Sequence, residues 1–271
     1  MTSSPLGRQP LPPQEDFARV VESRTGIRGT KVPELTFLFW VIKILTTGMG
    51  ETASDWLART IEPVIAVTLA LIGLGALLAT QLRAHRYRPW LYWATVAMVS
   101  VFGTMAADVL HVVIGIPYVV STIAFALTVA VVLVIWHRVE GTLDIHSITT
   151  VRRECFYWAA VCATFALGTA AGDLTATGLG LGYLTSGIVF TVAFAIPAVA
   201  HRWMGLGAVS AFWIAYVLTR PLGASYADWI AVPPARGGLD LGTGPISLAL
   251  VLAILIGVAI HARQARRGRL S

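Results

Sequence analysis

The chain has 271 residues, of which 56% are hydrophobic and only 13% are charged, and its mean hydropathy is +0.73. This composition excludes an ordinary soluble domain and places the chain in the membrane class. The net charge of +6 does not indicate a nucleic-acid partner, because the basic residues lie mainly in the tails and in alternate connections between apolar segments.

Residues 1–30 have neither a helical apolar stripe nor the apolar core of a signal peptide, which predicts a disordered cytoplasmic tail. The rest of the chain contains eight apolar segments, each long enough to cross about 30 Å of hydrocarbon as a helix. They are residues 35–55, 63–82, 91–113, 117–137, 156–177, 183–203, 208–231 and 245–262. The sequence therefore predicts an all-α integral membrane protein with eight transmembrane helices.

One pattern recurs four times: a Trp is followed ten positions later by Gly and fifteen positions later by Asp. The four sets are Trp40/Gly50/Asp55, Trp93/Gly103/Asp108, Trp158/Gly168/Asp173 and Trp213/Gly223/Asp228. This register predicts a fourfold duplication of a two-helix unit. Because every unit crosses the membrane twice, all four have the same orientation, which makes them parallel repeats.

The repeats divide the chain into residues 31–86, 87–139, 154–203 and 204–271, the last with a basic C-terminal tail. Residues 140–153 form a cytoplasmic connection between the two pairs of repeats. We expect the recurrent glycines to make close helix contacts and the recurrent tryptophans to act as anchors at the membrane interface.

The basic residues are distributed asymmetrically about the predicted membrane. The two tails and the connections after the second, fourth and sixth segments contain nearly all of them, whereas the other side has only Arg59 and Arg236. This positive-inside pattern predicts that both termini are cytoplasmic.

The four recurrent aspartates are the strongest candidates for a functional site. Each follows its Trp by about 22 Å of helical rise, so Asp55, Asp108, Asp173 and Asp228 are expected at one depth in the outer half of the membrane, as a ring or as two facing pairs. Intramembrane acids are costly and usually functional, and rings of carboxylates line cation pores. The alternative is that each Asp only binds a neighbouring helix end and holds the repeats together.

Repeat 1 adds polar residues that its sister repeats lack. Lys43, Thr47 and Glu51 are spaced four apart and share one helical face with Asp55. Glu51 and Thr47 offer oxygen ligands to a cation. Lys43 and Arg220, which occupies the position of Thr47 in repeat 4, are candidate charge partners. A static buried ion-pair network is the other interpretation.

His111, three residues after Asp108, is the best candidate for a metal-ligating histidine. The carboxylates and nearby hydroxyls favour a hard cation. The chain has no nucleotide-binding loop, nucleophile elbow or spaced zinc-binding cluster. We therefore expect neither an enzyme nor a cofactor.

Several motifs resemble those of a family of bacterial integral membrane proteins of unknown function built from four copies of one repeat. They are residues 31–34 (KVPE), 40–47 (WVIKILTT), 50–52 (GET), 146–150 (HSITT) and 219–224 (TRPLGA). The resemblance covers essentially everything after the N-terminal tail. It implies the same eight-helix architecture in a bacterial plasma membrane, and it implies no activity and no site residues.

The residues themselves favour a secondary transporter or exporter of a small cation, with a divalent metal ion as one candidate, coupled to protons through the intramembrane carboxylates. Two alternatives remain open at this point: a non-transporting scaffold or partner-binding protein, and a cation channel with an acidic ring. The expected partners are the lipid bilayer and a small cation or proton, with no nucleic acid, and the sequence leaves the oligomeric state open.

Overall fold

The computed structural model describes residues 30–267, except for the side chains of residue 112 and of residues 265–267. Within this range it has eight long α-helices and no strand. They are α1 (Phe37–Thr60), α2 (Pro63–Arg83), α3 (Pro89–Asp108), α4 (Tyr118–Glu140), α5 (Val151–Asp173), α6 (Tyr183–Trp203), α7 (Ala208–Ala231) and α8 (Thr243–Arg267). The predicted all-α architecture of eight helices is confirmed. The predicted disordered tail lies outside the described residues, apart from Thr30.

Six of these helices, α2 to α6 and α8, are long and apolar enough to cross a membrane. The other two, α1 and α7, contain buried charged residues near their middles, among them Lys43, Glu51 and Arg220. The set of long apolar helices indicates a multi-pass membrane protein.

Local sequence signals explain several helix ends. Thr36 and Thr150 cap α1 and α5, where each hydroxyl accepts a hydrogen bond from a backbone N–H three residues later. Pro63 occupies the first turn of α2, where its missing N–H has no cost. Gly141 ends α4 with a φ of 73°, a left-handed conformation that glycine adopts without strain.

The first helices of the four repeats form a closed inner ring, in which α1 contacts α3, α3 contacts α5, α5 contacts α7 and α7 contacts α1. The second helix of each repeat packs mainly against the first helix of the following repeat: α2 on α3, α4 on α5 and α6 on α7. The last helix, α8, packs on α1. The repeats are therefore interlocked, and α8 closes the circle.

We call the end of the bundle where the inner helices finish the acidic end, because it holds Asp55, Asp108, Asp173 and Asp228. The opposite end, where the inner helices begin, is the basic end. It holds Lys31 and the connections with Arg83, Arg86, Arg88 and Arg138.

The recurrent glycines lie where neighbouring inner helices cross. Each faces the residue three positions before the glycine of the next repeat; the pairs are Gly50 with Ser100, Gly103 with Phe165, Gly168 with Arg220 and Gly223 with Thr47. A Cβ atom on Gly50 would lie 1.8 Å from the Ser100 Oγ, and one on Gly223 would lie 2.0 Å from the Thr47 Oγ1. The predicted close helix contacts are confirmed, and they follow the same circular order as the helices.

Three of the four recurrent tryptophans are buried and do not act as interface anchors, so the prediction is wrong for these three, whereas Trp40 is half-buried. Trp93, Trp158 and Trp213 are at most 5% exposed and pack with Tyr92 and Tyr157 in an aromatic layer near the basic end. They are buried because they lie on inner helices, which the outer helices cover.

Lys31, at the start of the KVPE motif, is also buried. Its ammonium pairs with the Glu154 carboxylate, and both side chains are at most 1% exposed. Lys31 Nζ also donates to the Leu82 carbonyl oxygen at 3.2 Å, while Gln81 Nε2 donates to Glu154 at 3.0 Å. This network ties the segment before α1 to α2 and α5 at the basic end.

Candidate functional site

The four recurrent aspartates converge on one cavity at the acidic end. Asp55, Asp108, Asp173 and Asp228 line it together with Glu51, and its volume is about 490 Å³. Its wall also includes Arg59, whose side chain is 53% exposed, so the cavity reaches the surface of the bundle. Equal spacing from Trp to Asp on four parallel inner helices explains why these carboxylates reach the same end of the ring.

Two of the aspartates precede a local widening of their helices. The π-helical turn Val109–Val113 follows Asp108, and the π-helical turn Leu174–Gly178 follows Asp173. Such turns are rare and frequently occur at functional sites. They lie at equivalent places in repeats 2 and 3 and add cavity-lining residues such as Val109 and Thr177.

The carboxylates differ in their partners. Asp55 pairs with Arg59 at 3.0 Å, and an Asp173 oxygen lies 3.5 Å from His111 Nδ1. No described residue donates a hydrogen bond or an ion pair to the side chains of Asp108 and Asp228, although Asp228 is only 8% exposed. Asp108 is half-buried. Because a carboxylate that is removed from water without a partner is costly, these two are suited to taking up a proton or a cation.

A smaller void adjoins the main cavity. Glu51, Asp173 and Asp228 line both, and the smaller void has a volume of about 10 Å³, room for about one water molecule. Three of the five carboxylates therefore face the same small space.

Arg220 does not line the cavity itself but binds Glu51, which does. From α7, its Nη2 donates to the Glu51 carboxylate at 2.6 Å and to the Thr104 hydroxyl, while its Nη1 donates to the Thr47 carbonyl oxygen at 3.1 Å. These contacts cross the ring to α1 and α3. Arg220, a predicted charge partner, forms an ion pair with Glu51, and both side chains are at most 8% exposed.

Lys43 lies two turns before Glu51 on α1 and does not pair with any carboxylate in the described part of the chain. Its ammonium lies 4.0 Å from the centroid of the Phe165 ring and 4.2 Å from that of Tyr216. The Nζ atom is buried and has no hydrogen-bond partner. It is held by aromatic faces, an arrangement that favours a cation.

Thr47, a predicted ion-binding residue, does not line the cavity. Its hydroxyl donates to the carbonyl oxygens of Ile44 and Thr219 at 2.6 and 3.0 Å, which joins α1 to α7. His111 does line the cavity, and its Nε2 lies 2.6 Å from the Ser121 Oγ. Among the described residues, no group of three or more His, Cys, Asp or Glu side chains is placed to hold a metal ion.

Four segments of the chain match a family model described as Repeat of Unknown Function (DUF347). The matched residues are 38–87, 91–142, 156–205 and 211–267. The chain belongs to this family. The resemblance to a four-repeat family of unknown function is thus confirmed. No curated protein and no solved structure matches the chain.

The structure of this DUF347 protein adds cavity residues that the sequence reasoning had not assigned to the site. Arg236, in the turn after α7, lines the cavity and donates to the Tyr183 hydroxyl at 3.0 Å. Burial lowers the pKa of Arg236, but Tyr183 and the carboxylates of Asp55 and Asp228 raise it more, so the net shift is upward. Tyr118 also lines the cavity. The sequence contained a signal for both tyrosines, because Tyr118 lies ten positions after Asp108 and Tyr183 ten positions after Asp173.

Proposed function

We propose that this protein is a secondary transporter or exporter that couples the passage of a small cation to protons through the acidic cavity. A divalent metal ion is one candidate substrate. The observation that carries the proposal is the convergence of four aspartates and Glu51 on one surface-connected cavity of about 490 Å³. In this proposal all eight helices cross the plasma membrane of a bacterium, both termini are cytoplasmic and the acidic end faces outward.

The uneven pairing of the carboxylates supports exchange of a cation for protons. Asp108 and Asp228 have no partner among the described residues, and a charge in that position is stable only when it is neutralised. Binding of a cation and binding of protons both neutralise them. The two events therefore compete, and such competition is the basis of exchange.

Arg220 supports a carrier rather than an open channel. Its guanidinium already pairs with the Glu51 carboxylate. Deeper in the ring of inner helices, the Lys43 ammonium lies against the aromatic rings of Phe165 and Tyr216. A cation that reaches Glu51 must compete with Arg220, and the displaced guanidinium then needs a new partner. We propose that this competition couples cation binding to rearrangement of the inner ring.

The test is a flux assay with purified protein in liposomes that carry a pH gradient. Manganese, magnesium and sodium ions are supplied in turn, and a pH-sensitive dye inside the vesicles reports proton movement. We expect at least one cation to move protons, and we expect Asp108→Asn and Asp228→Asn each to slow that flux about tenfold or more, because neither amide can exchange a proton.

Asp240→Asn is the matched control. Asp240 is exposed, lies in the loop before α8 and has a φ of 61°, a conformation that Asn tolerates. This variant should transport as the parent does. Unchanged flux in both cavity variants would refute the proposal, and currents far above carrier turnover in electrical recordings would identify a channel instead.

A further inference from the structure

A second polar site lies at the basic end, on the outside of the bundle, where α2 leads into α3. Two adjoining cavities of about 460 and 280 Å³ share Arg86 and Arg88 in their walls. Arg83 and His85 line the smaller cavity, and Trp90 lines the larger. We call this surface, defined by these five residues, the basic cleft.

No described carboxylate lies within ion-pair distance of the arginines of the basic cleft. Across residues 30–267, Arg83, Arg86 and Arg88 form no ion pair and no side-chain hydrogen bond, unlike those of the next connection on the same end. There, Arg152 and Arg153 both pair with Glu140. Topology alone accounts for arginines at this end, but it does not account for two cavities lined by arginines that are left without counter-charges.

The first turn of α3 adds donors to the same cleft. Pro89, Trp90 and Leu91 line the larger cavity, and no side chain caps this helix. Pro89 has no N–H, but the free N–H groups of Trp90 and Leu91 and the positive end of the helix dipole favour an anion. By contrast, α5 begins at the same end with a Thr150 cap.

The position of the basic cleft favours a lipid over a soluble anion. Trp90 is 50% exposed, as expected of a residue at the level of lipid headgroups. The adjoining α2 exposes apolar side chains along its length, among them Leu69, Leu71 and Ile72. A ligand with an acyl chain would contact α2 while its phosphate lies against the arginines.

We propose that the basic cleft binds the phosphate headgroup of an anionic phospholipid. Arginine forks recognise phosphate oxygens, and basic pockets beside membrane helices bind anionic headgroups. A zwitterionic phospholipid would bind more weakly, because its choline ammonium would lie among the same arginines.

The experiment titrates the purified full-length protein in neutral detergent with phosphatidylglycerol or phosphatidylcholine, and native mass spectrometry counts the bound lipids. We expect tighter binding of phosphatidylglycerol. The double variant Arg86→Gln/Arg88→Gln should weaken that binding about tenfold or more. Each single substitution should give part of the loss, which keeps the test valid if the double variant folds poorly.

The matched control is Arg138→Gln/Arg202→Gln, which removes the same charge from exposed positions at the same end, outside the basic cleft. It should weaken binding less than threefold. Equal weakening by both double variants would reduce the effect to general surface charge and overturn the proposal. Displacement of the lipid by inorganic phosphate at equal concentration would overturn it too, because the ligand would then be a soluble anion.

Discussion

The two ends of this bundle differ in whether a buried carboxylate has a partner. At the basic end, Glu154 pairs with Lys31 and also accepts a hydrogen bond from Gln81. At the acidic end, Asp228 is nearly as buried, yet no described residue donates to its carboxylate. Both oxygens of the first carboxylate have partners, and the second carboxylate faces a cavity.

The difference separates structural charge from charge that is available for binding. A buried pair that satisfies both partners stabilises only one arrangement, and its loss leaves an uncompensated ion. An unpaired carboxylate beside a cavity destabilises the empty protein, and its cost is recovered when a cation or proton arrives. Burial alone therefore does not separate a carboxylate that belongs to a structural network from one that is available to a ligand, and the presence or lack of a partner must be considered with it.

The strongest test of this comparison makes the same isosteric change at both ends. Glu154→Gln leaves the Lys31 ammonium buried without a counter-charge, and we expect it to lower the free energy of unfolding by about 3–5 kcal/mol. Asp228→Asn removes an unpaired charge, and we expect stability to stay the same or rise. Thermal unfolding in one detergent measures both variants. An equal loss of stability would show that Asp228 is structural.

A smaller effect is expected at the helix crossings that hold the inner ring together. A Cβ atom on Gly223 would lie 2.7 Å from the Ile44 carbonyl oxygen and 3.0 Å from the Gly48 nitrogen, so the backbones of α1 and α7 must separate. We expect Gly223→Ala to cost about 1–3 kcal/mol and to lower cation flux, because Arg220 would shift relative to Glu51.

Gly75 supplies the control for this change, since a Cβ atom there meets no atom within 4 Å. Gly75→Ala on α2 should leave stability unchanged or raise it by about 0.5–1 kcal/mol, as expected for alanine in a helix. The same unfolding assay compares the two variants. Similar losses of stability in both variants would mean that the substitutions act within each helix and not on the contacts between crossing helices.

Much of this architecture followed from the sequence because it depends on period and spacing. The eight helices followed from apolar length, and the meeting of the aspartates followed from a constant Trp-to-Asp spacing on parallel helices. The glycine contacts were predictable for a similar reason, because a residue fixed at one depth in four repeats meets its neighbour at that depth.

The features that escaped prediction depend on the lateral order of the helices, which spacing does not specify. Hairpin connectivity does not show that α2 packs mainly on α3 rather than on α1, and the burial of Trp93, Trp158 and Trp213 follows from that packing. The burial of Lys31 was not predicted, because its partner, Glu154, is distant in sequence. The π-helical turns after Asp108 and Asp173 left no recognisable sequence signal.

The smallest expected effect is that of removing only the charge of Lys43, a residue that lies between the two ends and shares features of both. It is buried like Lys31, yet it contacts the rings of Phe165 and Tyr216 in place of a carboxylate. Aromatic faces contribute about 2 kcal/mol to a desolvated cation, less than the several kcal/mol that burial of an ammonium costs. Lys43→Met keeps the volume and removes the charge, so we expect it to preserve or slightly raise the unfolding temperature.

Lys43→Ala separates volume from charge at this position. It leaves a cavity between the two rings, which should cost about 2–5 kcal/mol and lower the unfolding temperature relative to Lys43→Met. A marked loss of stability in Lys43→Met itself would show that the ammonium is a structural ion like that of Lys31. Preserved stability combined with lost cation flux would instead show that the Lys43 charge, like that of Asp228, serves transport and does not stabilise the fold.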